Sequence, residues 1–390
     1  MPASRTALVP ICNSSPAPEA AAMAFDLQPT TLRALRVSAL DIPLTSPFGI
    51  SRGSLGVAAN VLVTAELADG TLGHGEAAPF PAYNGETQEA ALSSLHAAAN
   101  LFPGRDAAEW EAIGAEFRAR SGVGCGSALC ALETALLDAL TRQRGLPLWR
   151  HFGGAGTELE TDMTVTTGTP EAAGAAAAAI RERGIRIIKA KVGGPGGPAA
   201  DLARIGAILE GAPNSPLVLD GNAGLSRAEA AALAAGLRAR GVVPLLLEQW
   251  LAKDDLEGMR VLGAETGWTV AADEAVSTAA DARRLAAARG AAVINIKLMK
   301  AGIAEALRVV AVAREEGLGL MIGGNIESIL AMTTSACFAA GLGGFGYADL
   351  DTPLFLASNP FDGGFTLEGS RVSVAAVAAG HGVVPAGLLL

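Results

Sequence analysis

The sequence predicts an α/β protein with a closed barrel of parallel strands, and three observations lead to this fold class. Beyond Gly154, apolar runs of β type alternate with helical segments that are rich in Ala, Leu and Arg. The charged residues that mark successive runs recur at intervals of roughly 25–30 residues, the length that a strand, a helix and two loops require. The alternation produces eight runs, and eight βα units in this length of chain make up a TIM barrel.

The eight runs are continuous in apolar character, as expected of parallel strands that are covered on both faces. They occupy Asp162–Thr166, Ile185–Lys191, Leu217–Asn222, Leu245–Glu248, Thr269–Asp273, Val293–Lys297, Leu318–Gly323 and Gly346–Asp351. We therefore assign residues 151–370 to the barrel. Residues 371–390 are expected to pack back on the N-terminal part of the chain.

Residues 32–150 are predicted to form a separate α+β unit, because strand-like runs come first and helical segments follow. The strand-like runs are Ala34–Ile42, Ala58–Leu67 and Thr71–Glu76, and the helical segments are Gln88–Leu101, Asp106–Ala119 and Ser127–Gln143. The dipeptide Asp69-Gly70 indicates a hairpin turn between the second and third strands.

Residues 1–31 are rich in Ala, Pro, Ser and Thr and differ from both predicted units. They lack the basic start and the clean apolar stretch of a secretory signal. We interpret them as a disordered extension, or as residues upstream of a true start at Met23. Because acidic residues are few, a transit peptide to a plastid or another organelle is the alternative, although Arg5 is the only basic residue.

The overall charge argues against several classes of partner. The chain has 29 Lys and Arg residues against 39 Asp and Glu residues, and its formal net charge is −10. An acidic chain without a long basic run disfavours nucleic acid and anionic membranes as partners. The four cysteines form no C-x-x-C pair, so we expect a reducing compartment and a cytoplasmic protein. The composition is compatible with a homo-oligomer.

Charged residues recur at the ends of the predicted strands. They are Lys189, Lys191, Asp220, Glu248, Asp273, Lys297, Asp349 and Asp351. A single Asp at such a point is more often a turn residue or a helix cap. Because the carboxyl ends of barrel strands meet at one mouth, repetition at the same point of successive units favours an active site.

Asp220, Glu248 and Asp273 end three successive runs. Three carboxylates that converge on one point repel each other unless a cation lies between them. Hard oxygen ligands suit Mg²⁺, which keeps waters or accepts substrate oxygens in its open positions. The sequence therefore predicts a Mg²⁺ cofactor at this point.

Two lysines, Lys191 and Lys297, end runs on either side of these carboxylates. Lysines that face each other across a bound substrate can act as base and acid on opposite faces of one carbon. We expect each ammonium to lower the pKa of the other, with partial burial adding to the effect. Lys189 is expected to place a further positive charge on the substrate carboxylate. Such a site suits removal of a proton α to a carboxylate, because the cation stabilises the enediolate.

On these residues the sequence resembles the enolase superfamily, muconate-lactonizing subgroup, over about residues 32–385. The motifs that carry the resemblance are Lys189-Ala-Lys191, Asp220-Gly-Asn222, Glu248-Gln-Trp250, Asp273-Glu274 and Lys297, with Tyr83–Thr87 and Pro47-Phe48 similar to loop motifs of the subgroup. The resemblance implies a modified TIM barrel with an N-terminal α+β capping domain. It also implies that Lys191 and Lys297 are the acid/base pair and that the three carboxylates are the Mg²⁺ ligands.

Asp349 and Asp351 distinguish among the reactions of this subgroup. Together with Thr352-Pro353 they are similar to the D-x-D motif of dipeptide epimerases, and two carboxylates can receive the α-ammonium of a dipeptide. We therefore expect Mg²⁺-dependent epimerisation of L-Ala-D/L-amino acid dipeptides, such as L-Ala-D/L-Glu. A cycloisomerase or an o-succinylbenzoate synthase is the alternative, and Asp349 and Asp351 would then have a turn role. A noncatalytic metal-binding protein is a third hypothesis.

Four further residues are weaker candidates. Asn325 is a candidate substrate contact, with capping of the next helix as the alternative. Arg52 lies in the loop of residues 46–56, where it could bind the side-chain carboxylate of a Glu residue in Ala-Glu or remain a solvated charge. Asn222 and Glu274 are expected to support the metal ligands by hydrogen bonds or to act as weak ligands themselves.

Overall fold

The structure, a computed structural model, describes residues 29–50, 53–122 and 124–387. Arg52 lies outside the described residues, so its predicted role stays a prediction. Within the described part of the chain, no helix is both long and apolar enough to cross a membrane.

The N-terminal unit is an antiparallel sheet covered by helices. Its strands, in the spatial order β1-β2-β3, are β1 (Leu32–Ile50), β2 (Gly53–Leu67) and β3 (Leu72–Ala77). Its helices are α1 (Pro81–Asn84), α2 (Gln88–Leu101), α3 (Trp110–Ser121), α4 (Gly126–Gln143) and α5 (Leu148–His151), with a 3₁₀ turn at Ala107–Glu109. Helix α4 lies so close to β3 that a Cβ at Gly73 would be 2.2 Å from the Ala139 nitrogen. Glycine at this position therefore allows the helix to pack on the sheet.

The second unit contains the predicted parallel sheet. Short strand β4 (Glu158–Glu160) precedes its eight strands, which are β5 (Met163–Val165), β6 (Ile188–Lys191), β7 (Leu217–Asp220), β8 (Leu246–Glu248), β9 (Val270–Ala272), β10 (Val293–Ile296), β11 (Gly319–Ile322) and β12 (Phe345–Ala348). Seven helices alternate with these strands: α6 (Pro170–Glu182), α7 (Gly197–Gly211), α8 (Arg227–Ala239), α9 (Leu256–Thr266), α10 (Ala279–Ala288), α11 (Ile303–Glu315) and α12 (Ile329–Leu342). The predicted α/β fold class is confirmed, and seven helices between eight strands make this a modified barrel.

The first and last strands meet at a seam. Thr161 and Ala348 form a parallel bridge, and the amide of Asp162 donates to the carbonyl of Ala348 over 3.0 Å. The amide of Leu350 donates to Oγ1 of Thr161 over 2.9 Å. These contacts join the residues just before β5 to the end of β12.

Apolar side chains fill the interior of the sheet below its charged ends. Val218, Leu246, Ala271, Val293 and Met321 come from five neighbouring strands and form one buried cluster. Each of the first three lies two residues before a predicted metal ligand. Because side chains two apart in a strand share a face, the cluster supports those ligands from below.

The C-terminal residues contact both units. Strands β13 (Phe361–Gly363) and β16 (Val383–Pro385) pair with each other, and β14 (Thr366–Glu368) and β15 (Arg371–Ser373) form a sheet with β4. His381 is fully buried, and its amide donates to Oδ1 of Asp138 on α4 over 2.9 Å. This hydrogen bond connects the C-terminal segment to the N-terminal unit.

One predicted strand is shorter than expected. The eighth run was predicted to extend to Asp351, but β12 ends at Ala348. Asp351 has helical backbone angles and begins a 3₁₀ turn at Thr352–Phe355, with Pro353 in its first turn. Asp349 and Asp351 therefore follow the strand, and the expectation that the eighth strand includes them is wrong.

Candidate active site

The structure brings the predicted strand-end charges together at the mouth of the barrel. Lys191 pairs in register with Asp220, and Asp220 pairs with Glu248 on the next strand. Asp273 directly follows β9, and Lys297 directly follows β10. All of these side chains are buried, because the N-terminal unit and the loops cover the mouth.

Lys189 lies at the centre of the carboxylates. Its Nζ is 3.0 Å from Oδ2 of Asp220, 2.8 Å from Oε2 of Glu248 and 2.7 Å from Oδ2 of Asp349. Lys191 reaches the same oxygen of Asp220 over 2.6 Å. The two lysines of the K-x-K motif therefore both neutralise Asp220.

Two other lysines contact the carboxylate of Asp273. Nζ of Lys297 lies 2.9 Å from Oδ2, and Nζ of Lys300 lies 2.7 Å from Oδ1. Lys300 also donates to the carbonyls of Asp273, Val276 and Asn295. Sequence reasoning missed Lys300, because it belongs to a 3₁₀ turn after the strand, where no periodic pattern marks it.

Tyr83 joins the N-terminal unit to this site. Its hydroxyl donates to Oδ1 of Asp273 over 3.1 Å, and Nζ of Lys297 lies 4.7 Å from the centre of its ring. A cation at this distance from an aromatic face is attracted to it. The sequence shows the loop motif of residues 83–87, but the motif does not predict the contact of Tyr83 with the barrel.

The pKa shifts reflect these ion pairs. Burial raises the pKa of Asp220 and Asp273, but the neighbouring ammonium groups lower it more, and both pKa values lie below the usual range. Burial also raises the pKa of Glu248, and there the upward shift prevails. Opposite charges at contact distance favour the ionised form, whereas burial disfavours it.

The expectation of a lowered lysine pKa is wrong for Lys297. Burial lowers the pKa of Lys297, and Lys189 lowers it further. The carboxylates of Asp273, Glu248 and Glu274 nevertheless raise it more, so that the pKa lies above its usual range. The sequence predicts two lysines in the site, but it does not predict how many carboxylates surround each lysine and raise its pKa.

Asp220, Glu248 and Asp273 have the donor chemistry that suits a hard divalent cation, although they contact lysines in this structure and their oxygens do not all lie within 4.8 Å of one another. Each is fully buried, and they end or directly follow three adjacent strands. Asn295 donates to Oε1 of Glu248 over 2.8 Å and holds that carboxylate in place. Three buried oxygen donors on a rigid sheet are the donor set that Mg²⁺ prefers.

Asn222 and Glu274 lie beside these carboxylates. The amide of Asn222 donates to Oδ1 of Asp220 over 2.9 Å, and its backbone has a positive φ of 42°. Oε2 of Glu274 is buried without a hydrogen-bond partner among the described residues. Burial, and to a smaller extent the negative charge of Asp273, raise the pKa of Glu274 to about 8. Asn222 therefore orients the carboxylate of Asp220, a predicted metal ligand, while Glu274 offers a further oxygen next to the three.

A cavity lies against the charged residues, and both predicted acid/base lysines line it. The lining comprises Phe80, Tyr83, Thr164, Lys191, Asn222, Lys297, Gly324, Asn325, Ile326, Asp349, Asp351 and Thr352. Nδ2 of Asn325 donates to the carbonyl of Ala78 over 2.8 Å, which ties this residue to the N-terminal unit. The predicted substrate contacts Asn325, Asp349 and Asp351 thus border one space with the two lysines.

Two models of protein families match the chain. One, described as the N-terminal domain of mandelate racemase and muconate lactonizing enzyme, matches residues 33–153. The other, described as enolase C-terminal domain-like, matches residues 171–387. The chain belongs to the enolase superfamily. The predicted resemblance and the capping domain over a modified barrel are thereby confirmed.

Relatives within the superfamily have similar length. The chain is 49% identical to an aromatic dipeptide epimerase of Herpetosiphon aurantiacus, over 91% of this chain and 99% of the relative. It is 35% identical to an L-Ala-D/L-Glu epimerase of Bacillus subtilis, over 91% and 97%. A solved dipeptide epimerase of Enterococcus faecalis, complexed with Mg and the dipeptide L-Leu-L-Tyr, matches with a TM-score of 0.85 and 30% identity, over 90% and 99% of the two chains.

Proposed function

We propose that the protein epimerises dipeptides at the α-carbon of their C-terminal residue, with Mg²⁺ as cofactor. The observation that carries the proposal is the placement of Lys191 and Lys297 on one cavity, with Asp220, Glu248 and Asp273 beside it. The relatives named as dipeptide epimerases support the same reaction class. The protein is accordingly an isomerase.

The carboxylates of Asp220, Glu248 and Asp273 would hold the metal ion. A divalent cation held there supplies positive charge that stabilises an enediolate and offsets the carboxylate charge around Lys297. Lys189 is buried beside the same carboxylates and adds a positive charge for the substrate carboxylate. Burial of these groups strengthens their electrostatic action, because water does not screen them.

Lys191 and Lys297 perform the proton transfers. One amine removes the α-proton of the C-terminal residue, and the ammonium of the other returns a proton on the opposite face of the same carbon. The two side chains come from β6 and from the end of β10, with the carboxylate-bearing strands between them. Since both directions need one base and one acid, the same pair serves either epimer.

Asp349 and Asp351 are proposed to receive the α-ammonium of the N-terminal residue. Both line the cavity, and each is less than a tenth exposed. A charge-assisted hydrogen bond in a buried site gives both affinity and orientation to the substrate. We propose L-Ala as the N-terminal residue, with a C-terminal Glu or aromatic residue as the two cases to compare.

The proposed location is the cytoplasm. Cys125, Cys130 and Cys337 are buried thiols, which fits a reducing compartment.

Incubation with Mg²⁺ and a dipeptide library in D₂O tests the reaction. L-Ala-L-Glu and L-Ala-L-Phe should each be examined by proton NMR, and epimerisation should replace the α-proton of the C-terminal residue with deuterium. The relatives named as an aromatic dipeptide epimerase and as an L-Ala-D/L-Glu epimerase make these two peptides the informative pair. Turnover of a succinylbenzoate precursor or of a muconate, without exchange in any dipeptide, would favour the other reactions of the subgroup.

A further inference from the structure

Three aspartates form a tight group at the seam of the barrel. One carboxylate oxygen of each of Asp162, Asp349 and Asp351 lies within 4.8 Å of the other two. Their exposed fractions are 2%, 7% and 1%. Asp162 comes just before β5, and the other two follow β12, so the group exists only because the first and last strands meet. We call these three residues the Asp162 cluster.

Each member of the Asp162 cluster has an oxygen without a partner. Oδ2 of Asp349 contacts Lys189, and Oδ2 of Asp351 accepts from the amide of Thr164 over 2.6 Å. The Oδ1 atoms of all three are buried without a hydrogen-bond donor among the described residues. A buried carboxylate oxygen without a donor is costly, so such a group calls for a ligand that donates hydrogen bonds.

Positive charge acts on the cluster mainly at Asp349, where burial raises the pKa but Lys189, Lys191 and Lys297 together lower it more. Within the described ranges, Lys189 is the one cation in contact with it, and Lys189 is shared with Asp220 and Glu248. Burial is the main cause that raises the pKa of Asp162 and of Asp351, the latter to about 8, and the Asp349 carboxylate raises both further. A cationic ligand would relieve the repulsion among the three carboxylates.

A neutral side chain on the same cavity also presents an unused acceptor. Asn325 is 3% exposed and lines the cavity with Asp349 and Asp351. Its Nδ2 donates to the carbonyl of Ala78, while its Oδ1 is buried without a partner among the described residues. The cavity therefore presents one unpaired acceptor that does not belong to an acidic residue.

We propose that Asp162 is the third acceptor of a site for a primary ammonium, so that the protein recognises all three N–H groups of the dipeptide's free amine. The inference rests on the proposed function, in which Asp349 and Asp351 bind this amine. Charge-assisted N–H···O bonds of 2.7–2.9 Å around a tetrahedral nitrogen place their acceptors about 4.6 Å apart. One oxygen of each cluster member lies within 4.8 Å of the other two, which is compatible with this spacing.

An N-methylated substrate separates recognition of the N–H groups from recognition of charge. N-methyl-L-Ala-L-Phe keeps the positive charge of L-Ala-L-Phe but has one N–H fewer, and its methyl group would leave one buried carboxylate without a donor. Calorimetric dissociation constants should be measured for both peptides with the Mg²⁺-loaded protein, together with α-proton exchange. We expect the methylated peptide to bind about tenfold to a hundredfold more weakly to the wild type.

Substitution of Asp162 identifies the residue that reads the third N–H. In Asp162→Ala the removed carboxylate makes room for the methyl group, and the ratio of the two dissociation constants should fall to about threefold or less. Asp162→Asn keeps the shape of the side chain and should lower the ratio in the same direction. Asp201→Asn is the matched control, because Asp201 is an equally buried barrel aspartate that is hydrogen-bonded to Arg204 and the Gly193 amide, and it should keep the wild-type ratio.

The outcomes separate this inference from the proposed function. An unchanged ratio in both Asp162 variants, a wild-type ratio near one, or failure of both peptides to bind overturns it. A second bound equivalent of Mg²⁺ that disappears in Asp162→Ala would make the cluster a metal site and also overturns it. If the ratio changes as expected but no dipeptide exchanges its α-proton, the ammonium site stands and the epimerase proposal falls.

Discussion

Two groups of three carboxylates lie in the same barrel mouth, yet lysines compensate them very differently. Each of Asp220, Glu248 and Asp273 contacts at least one ammonium, and Asp220 and Asp273 contact two. In the Asp162 cluster only Asp349 has such a partner among the described residues. In the first group the pKa values of Asp220 and Asp273 are lowered and that of Glu248 is raised, whereas in the Asp162 cluster only the pKa of Asp349 is lowered and burial raises those of Asp162 and Asp351.

Burial alone therefore does not define a metal site. In the first group, neighbouring ammonium groups outweigh burial and lower the pKa of Asp220 and of Asp273, which favours the ionised form that binds a divalent cation. The second group has direct charge compensation only at Asp349 among the described residues and suits a ligand that brings both a positive charge and hydrogen-bond donors. Under the proposed function, one mouth would offer separate places for a cofactor and for a substrate amine.

The largest effect is expected from the first group. Asp220→Asn, Glu248→Gln and Asp273→Asn should each weaken Mg²⁺ binding and lower turnover by about a thousandfold or more, because the lost charge loosens the ion and misplaces the enediolate oxygens. Calorimetry and exchange rates at several Mg²⁺ concentrations measure this, with Asp201→Asn as a buried control. Near-normal activity of a variant at low Mg²⁺ would show that its residue is not a ligand.

The two lysines should differ in which epimer they serve. Lys191→Met and Lys297→Met should each reduce epimerisation by roughly 10²–10⁴-fold, the usual contribution of a general acid or base. Exchange with D₂O starting separately from the L,L and L,D dipeptides should show the larger loss from opposite epimers in the two variants. Undiminished epimerisation after either replacement would remove that lysine from the reaction.

Asp351→Asn probes the second group with a smaller expected effect. The loss of one charge-assisted hydrogen bond should lower kcat/KM for a free dipeptide about tenfold to a hundredfold. The same change should matter less for the N-acetylated dipeptide, which has no ammonium to place. If the variant discriminates against the N-acetyl peptide as strongly as the wild type does, Asp351 does not bind the amine.

Tyr83→Phe should have the smallest effect. The ring remains over Lys297, but Asp273 loses a hydrogen bond of 3.1 Å, so the Mg²⁺ concentration for half-maximal activity should rise about threefold to tenfold. Tyr347→Phe is the control, since Tyr347 is the other tyrosine of the chain and packs against the apolar cluster below the site. An equal change in both variants would indicate a general loss of packing.

The sequence predicts the first group of carboxylates better than the second. Asp220, Glu248 and Asp273 each close an apolar run, and the geometry of a parallel barrel converts that position into a place at the mouth. Asp162 stands before its strand, so only the closure of the sheet brings it to Asp349 and Asp351.

Two further contacts of Asp273 also could not be predicted from the sequence. Tyr83 and Lys300 reach Asp273 from a capping loop and from a 3₁₀ turn, and neither position follows a period of 2 or 3.6 residues. The pKa of Lys297 depends on how many carboxylates surround it, which is a property of the packed site. The sequence therefore predicts which residue types meet, while their charge balance comes from tertiary structure.

Substrate binding at the seam between β5 and β12 would stabilise the folded state of the whole domain. The amide of Asp162 and the Oγ1 of Thr161 already join the first strand to the eighth. An ammonium shared by Asp162, Asp349 and Asp351 would add three hydrogen bonds across the same junction. Because a ligand that binds only the folded state stabilises it by mass action, occupancy of the amine site and closure of the barrel become thermodynamically linked.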